Sequence, residues 1–334
     1  MSFSGRLDAF QRRHAWAALP VAVVYKFVDD EGTYLAALLA YYGFISLFPL
    51  LLLGVTILGY VLADDPGAQQ AVLSSALRNV PVIGDQLRDN VHTMGGSVAG
   101  LVVGVVVAIY GALGVTHAAQ HALDKIWAVP KAERAGIGAA YGKGALTVLI
   151  VGIGVLVTAA LSALVTTAGA VTGLGALSRF AVTVVATAVN IGLFLLAYHL
   201  LTARRTRLRE RWIGAVAAGI SWQVLLSIGT WLVSTRLAGA SAAYGLFGIV
   251  LGLLGWLYLA ASIFVLCAEL DAVLAGRLHP RSLLSIYPDD RDTTAADRRA
   301  YASYAESERQ KDFQSVDVSF TDDEPTTPSS GPVG

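Results

Sequence analysis

The sequence predicts an all-α membrane protein with six transmembrane helices and amphipathic helices at the membrane interface. Three observations lead to this fold class. Of the 334 residues, 55% are hydrophobic and only 14% are charged, whereas soluble proteins carry about 25% charged residues. Long uncharged runs recur, and a straight helix over the first of them, 35–62, would exceed the bilayer core of about 30 Å. Lysines and arginines are concentrated in alternate connecting segments.

Residues 1–34 form a basic, partly amphipathic segment ahead of the first span. The apolar stretch 15–25 is too short to cross a bilayer. Trp16 and Tyr25 suit a helix that lies at the membrane interface. A cytosolic helix packed on the bundle fits the same pattern equally well, so both interpretations stay open.

Residues 35–276 form the transmembrane domain. In the first span Pro49 removes a backbone donor, which predicts a kink, and Ser46 is placed to satisfy a freed backbone group. The uncharged run 144–178 is too long for one span, and its later glycines predict a turn. Two short amphipathic helices are expected on the outer face within 68–92. The predicted spans are 35–62, 97–123, 144–167, 179–202, 212–235 and 243–271.

The segment 277–334 is polar and rich in Asp, Ser, Thr and Pro. It cannot bury enough apolar surface to fold alone, so we expect a disordered cytoplasmic tail with a short helix near 298–313. The orientation follows from charge. Of the 24 lysines and arginines, 20 lie in the two terminal segments and in the two connections on the same side. By the positive-inside rule both termini are cytoplasmic, which requires an even number of spans.

Glycines share one face of the last predicted span. Gly245, Gly248, Gly252 and Gly255 follow spacings of three, four and three residues. The favoured interpretation is a packing groove for another helix. The alternative is a smooth wall along which a lipid chain or a solute slides.

Polar residues near the middle of the bilayer are few. Asn190 and Gln223 should face the bundle interior, because an amide in hydrocarbon needs a partner. A hydrogen bond between helices is favoured over a contact with substrate. No carboxylate is expected at mid-depth, which argues against a proton-coupled pump.

Polar side chains gather where the spans reach the cytoplasmic interface. The default interpretation is that they pair with loop arginines, and the functional one is a polar vestibule that admits a headgroup or a solute. Two histidines four residues apart could ligate a metal, but a third ligand is missing, so no metal site and no cofactor are predicted. The predicted rim comprises Asp30, His117, His121, His199, Glu269 and Asp271.

Three stretches carry a family resemblance. Asp30 is followed by LAALLAYYGFISLFPLLLL at 35–53, and YGLFGIVLGLLGWLYLAASIFVLCAELDAVL covers 244–274. These stretches, with ALDKIWAVP at 122–130, resemble the YihY/virulence factor BrkB family of bacterial inner-membrane proteins. Cys267 stands where the family pattern leads us to expect a small glycine.

The resemblance implies six spans and a bacterial inner-membrane location, and it supplies no catalytic residues to carry over. The family was long labelled ribonuclease BN, a label now regarded as a misassignment, and some members are linked to serum resistance or envelope lipid export. Our first hypothesis is a transporter or translocator of an envelope component, with a lipid as the substrate class. A ribonuclease and a non-catalytic scaffold with a partner-binding tail are the alternatives.

No soluble catalytic motif occurs in the sequence, so we do not expect an enzyme. The expected partners are membrane lipids, together with an envelope lipid or a small solute as substrate. Self-association into a homo-oligomer is a further expectation. The charge balance offers no basic surface of the kind that nucleic-acid binders use, so no nucleic acid is expected.

Overall fold

The computed structural model describes residues 3–61, 67, 98–172, 175–204, 207–232, 241–282 and 293–320. These residues form α-helices with short connections and contain no strand. The interfacial helices predicted within 68–92 lie outside the described residues. The helices are α1 Phe3–Arg13, α2 Ala15–Asp29, α3 Gly32–Val61, α4 Val98–Ile126, α5 Ile137–Thr172, α6 Gly175–Leu201, α7 Trp212–Leu232, α8 Ser241–Gly276 and α9 Ala295–Ser307.

Helices α3 to α8 form a closed ring. Each packs against the next one in the chain, and α8 returns to pack against α3. Additional contacts of α4 with α6 and α8 cross the ring. Helix α3 continues through Pro49 as one helix.

The main apolar core among the described side chains lies at one end of the ring. It contains residues from the start of α3 and α7 and from the end of α4, α6 and α8. Small side chains such as Ala122 and Ala215 are fully buried there, which brings the helices close together. The phenol of Tyr198 on α6 donates a hydrogen bond of 2.8 Å to the Phe264 carbonyl on α8. We call this end of the ring, where the described side chains pack closely, the tightly packed end.

The outer surface of the ring is apolar. Large hydrophobic side chains such as Leu149, Phe180, Ile220 and Leu259 are exposed, as expected where lipid rather than water surrounds a protein. Four described segments are long and apolar enough to cross a membrane, and a shorter apolar helix, Gly32–Leu47, accompanies them. The all-helical class is confirmed, with four such segments described where the sequence predicts six. The four are Ile137–Thr158, Thr183–Leu201, Trp212–Gly229 and Val250–Gly276.

Two helices outside the ring pack near its tightly packed end. Helix α2 packs on α8, while Trp16 near its start is exposed. Helix α9 contributes Ala300 and Tyr304 to a small apolar cluster with Ala22 of α2 and Val273 of α8.

Within the tail, the structure describes α9 at Ala295–Ser307, close to the short helix expected near 298–313. Helix α9 starts with a capping box, in which Thr294 and Asp297 satisfy each other's backbone N–H groups. Docking on α2 and α8 supplies the apolar burial that the tail lacks by itself. A sequence too polar to fold alone can still form a helix on a preformed surface.

Candidate functional site

Buried charged side chains of the described residues lie at the tightly packed end of the ring and beneath α9. Charges are buried in proteins only when they are paired or hydrogen-bonded, and clusters with perturbed pKa values often mark functional sites. This end of the molecule is therefore the candidate site. The side chains are Lys26, Asp30, Asp124, Arg211, Glu269, Asp271, Arg281 and Asp297.

Lys26, Asp30 and Glu269 form one group, which we call the lysine junction. Lys26 and Asp30 are one helical turn apart, and the Lys26 ammonium donates a hydrogen bond to the Asp30 carboxylate. The same Nζ lies 3.3 Å from Oε2 of Glu269 on α8. The exposed fractions of the three side chains are 2%, 3% and 0%. The junction therefore joins α2, the turn before α3 and the end of α8 around one ammonium.

The turn between α2 and α3 holds Asp30 in place. The backbone N–H of Asp30 donates to the Lys26 carbonyl at 2.9 Å, and Glu31 turns the chain with a φ of 56°. Burial raises the pKa of Asp30, against the opposing effect of Lys26. Burial also acts to lower the pKa of Lys26, but the Glu269 and Asp30 carboxylates outweigh it and raise that pKa. The lysine therefore stays charged.

Arg211 forms a second group with Asp124 and Asp271, which we call the arginine junction. The Arg211 guanidinium donates to the Tyr198 carbonyl at the end of α6, and its carbon lies 5.0 Å from the Trp127 ring centre. Burial lowers the pKa of Arg211 to about 10. The cation is thus held between α4, α6 and the start of α7.

The two carboxylates of the arginine junction bind backbone N–H groups. Asp271 accepts a 2.6 Å hydrogen bond from Gly214 in the first turn of α7. Asp124 accepts one of 2.8 Å from Ala203 after α6, and burial raises its pKa. A carboxylate near a helix N-terminus is favourable, because unpaired N–H groups and the helix dipole meet there. These contacts fix how α7 approaches α8.

Arg281 connects the tail helix to α2. Its guanidinium lies 2.7 Å from Asp29 on α2 and 3.0 Å from Asp297 on α9. The Tyr304 ring of α9 has its centre 5.4 Å from Nζ of Lys26. Helix α9 therefore lies directly over the lysine junction.

An open pocket lies beside the arginine junction. Its volume is about 320 Å³. Two arginines of the α6–α7 connection face apolar side chains of α7 and α8 across it. The lining residues are Arg207, Arg209, Glu210, Ile213, Leu274 and Ala275.

A family comparison covers the ring and both junctions. The model of the family described as virulence factor BrkB matches residues 23–286. The chain belongs to the virulence factor BrkB family. The match confirms the resemblance seen in the sequence and includes Lys26, Glu269 and Arg281, whereas α9 lies beyond it.

Two curated membrane proteins are similar to this BrkB-family chain. Inner membrane protein YhjD of Escherichia coli (strain K12) is 23% identical over 274 residues, which is 77% of this chain and 80% of that protein. UPF0761 membrane protein PsycPRwf_0630 of Psychrobacter sp. (strain PRwf-1) is 24% identical over 307 residues, or 86% of this chain. The chain spans 56% of that second relative. No solved structure matches this chain.

The structure brings some of the predicted rim residues together. Asp30 and Glu269 meet in the lysine junction, and Asp271 belongs to the arginine junction. The three predicted rim histidines, by contrast, are all exposed, and one of them stacks on Tyr141 with 6.2 Å between ring centres. They are His117, His121 and His199. Among the described residues no group of three potential metal ligands occurs.

The other predicted residues lie within the ring helices. Ser46 is buried in α3 and donates to the Gly43 carbonyl at 3.0 Å. Asn190 on α6 and Gln223 on α7 are half-buried. On α8 Gly248 is half-buried, whereas its neighbours along the predicted face, Gly252 and Gly255, are exposed. Gly245 lies in the same helix.

Sequence reasoning missed the three cations that organise this end of the BrkB-family chain. Lys26 interrupts an otherwise apolar helix and precedes Asp30 by four residues, and that spacing was the available signal. Arg211 and Arg281 look like the other arginines of their loops. Only the fold shows that both are buried.

Proposed function

We propose that this chain crosses the bacterial inner membrane six times, with both termini in the cytoplasm. The six ring helices, α3 to α8, support this topology, because the core at the tightly packed end contains alternate helix starts and helix ends. The segments before α3 and after α8 then leave the ring at that end. Most lysines and arginines belong to the connections on the same side, as the positive-inside rule requires for a cytoplasmic face.

We infer that the chain translocates a lipid-class component of the envelope. The lysine junction carries this inference, because it buries three ionisable groups where α8 closes the ring on α3. Ionisable residues inside membrane proteins are costly and commonly mark substrate or ion pathways. Replacing a buried ion pair by apolar side chains is often neutral or stabilising, so stability alone is a weak reason to keep one.

A lipid suits the surroundings of the site. Exposed Gly252 and Gly255 leave bare backbone on the apolar outer surface of α8, and a Cβ at Gly255 would meet no atom within 4 Å. An acyl chain can lie along such a surface. The pocket of about 320 Å³ near the end of α8 offers Arg207 and Arg209 to an anionic headgroup.

Reconstituted protein tests the proposal. Vesicles of phosphatidylethanolamine and phosphatidylglycerol would carry a trace of fluorescent phospholipid with one or the other headgroup. Dithionite bleaches only the outer leaflet, so translocation appears as bleaching beyond the outer-leaflet pool. We expect the protein to accelerate this bleaching, with or without an imposed pH gradient. Folded protein that never exceeds protein-free vesicles for either headgroup would overturn lipid translocation.

A further inference from the structure

The lysine junction contains more negative than positive charge. Two carboxyl groups, those of Asp30 and Glu269, share the single ammonium of Lys26. Both carboxyl groups therefore lie beside the same nitrogen atom. With both ionised, Glu269 has the 3.3 Å ion pair of Oε2 with Lys26 but no hydrogen-bond donor for either oxygen among the described residues, although both oxygens are fully buried. A carboxylate pair cannot hydrogen-bond to itself unless one member carries a proton.

Among the described residues, the surrounding charged groups do not supply a second cation. Arg281 is held by Asp29 and Asp297, and Lys125 of α4 pairs with Glu31 at 3.3 Å on the exposed side of the turn. The ring of Tyr304 on α9 also faces Lys26, but its phenol is not a cation. Asp271, on the same helix as Glu269, binds the Gly214 N–H.

Burial makes an uncompensated carboxylate costly. Removing a charge from water carries a penalty of several kcal/mol unless a partner or a proton neutralises it. The Lys26 ammonium already occupies the central position between the two carboxyls, so a metal cation would have to displace it. A proton needs no additional space and creates the missing donor.

We propose that Asp30 and Glu269 form a proton-binding site that holds one exchangeable proton between them at neutral pH. Binding takes one proton from water and converts one carboxylate into a carboxyl group. The junction then changes from a net charge of minus one to neutral. The new O–H donates to the remaining carboxylate, which still pairs with Lys26.

This site lies at the end of the ring and not at mid-depth, where the sequence offered no carboxylate. A proton site there would let the proton occupancy of the junction follow the pH on the side of the membrane at which this end of the ring lies. Helix α9 covers it through Tyr304. The inference does not depend on lipid translocation, because it concerns protonation of the resting protein.

Infrared spectroscopy of the full chain in lipid bilayers tests it. Wild-type protein at neutral pH should show a carbonyl stretching band of a protonated carboxylic acid that disappears at alkaline pH. Glu269→Gln and Asp30→Asn should each remove that band, because either change leaves one carboxylate balanced by Lys26. Lys26→Met should instead strengthen it, since two carboxyls would then lack a cation.

Glu31→Gln is the matched control, because Glu31 lies in the same turn but is exposed. Subtracting the infrared spectrum of each variant from that of the wild type removes the bands of the other carboxyl groups. A wild-type spectrum without the band would overturn the proposal. So would a band that both Glu269→Gln and Asp30→Asn retain. If a variant fails to fold, a wild-type spectrum without the band still overturns the proposal.

Discussion

Nζ of Lys26 lies 3.3 Å from Oε2 of Glu269, and both side chains are buried. The contact joins a helix that precedes the ring to the helix that closes it. Helix α9 then covers the contact with the Tyr304 ring. The two ends of the BrkB-family chain are therefore connected through one buried ammonium.

Removal of Lys26 should destabilise the fold strongly. Lys26→Met leaves two buried carboxyls without a cation, and breaking a buried pair in this way costs about 3–5 kcal/mol. Glu269→Gln should cost less, because Lys26 and Asp30 remain a balanced pair. The thermal unfolding midpoint of the purified variants, followed by circular dichroism, measures the difference.

Lys125→Met is the control for this prediction, since its ion pair with Glu31 is largely solvent-exposed. Exposed pairs contribute about 0–1 kcal/mol. If Lys125→Met lowers the midpoint as much as Lys26→Met, the lysine junction has no special energetic role.

Gly214→Ala should disrupt the contact between α7 and α8. A Cβ at this position would overlap the Cys267 carbonyl and the Asp271 carboxylate. The helices would have to separate, at a cost of about 1–3 kcal/mol, as for other overpacked cores. Gly152→Ala is the matched control, because a Cβ there meets no atom within 4 Å and alanine favours a helix by about 1 kcal/mol. Equal unfolding midpoints for the two variants would contradict the described packing.

The fold class and parts of the site were predictable from the sequence. The lengths of the apolar runs predict the helices. The charge asymmetry of the connections alone predicts that Asp30 and Glu269 lie on the same side of the membrane. Which of these groups meet was not predictable, because a single lysine in α2 becomes buried only when α2 packs on α8. The same holds for Arg211, one of five similar arginines in its connection.

The tail helix shows a different limit of sequence reasoning. Composition predicts disorder for 277–334, and composition is a property of the isolated segment. The capping box of Thr294 and Asp297 was a local signal for a helix start. The apolar surface that receives α9 is assembled from α2 and α8, so it exists only in the fold.

Asp297→Ala should release α9 from the ring. The change removes the Asp297 half of the capping box and takes a partner from buried Arg281. Trypsin cleavage at Arg298 and Arg299 should become at least about tenfold faster, as expected for a loss of about 1.4 kcal/mol. Asp317→Ala, at an exposed position, should leave the rate unchanged.

Acid should release α9 in the unmodified chain. Burial acts to raise the pKa of Asp297, but hydrogen bonds from Thr294, Arg281 and Ser282 outweigh it and hold that pKa below the usual 3.8. The stability contributed by this carboxylate is therefore present above pH 3.8 and is lost as the pH falls through the lower folded value. Pepsin cleavage of α9 should accelerate over that range, and a constant rate would show that the carboxylate does not hold the helix.

Cysteine labelling should verify the six-span topology. In a Cys267→Ala background, Ser74→Cys should react with a membrane-impermeant maleimide in intact spheroplasts. Asp317→Cys should react only after permeabilisation, because the tail is on the cytoplasmic side in our proposal. Labelling of both positions in intact spheroplasts would require an even number of spans between them, whereas the proposed topology has five.

The most direct measurement is lipid translocation by a chain whose lysine junction has no ionisable group. The variant Lys26→Gln, Asp30→Asn and Glu269→Gln keeps a hydrogen-bonding group at each position while removing all three ionisable groups. Our account predicts a folded protein, with an unfolding midpoint near that of the wild type, that no longer accelerates dithionite bleaching. Wild-type translocation by this folded variant would contradict the account and assign the junction a structural role alone.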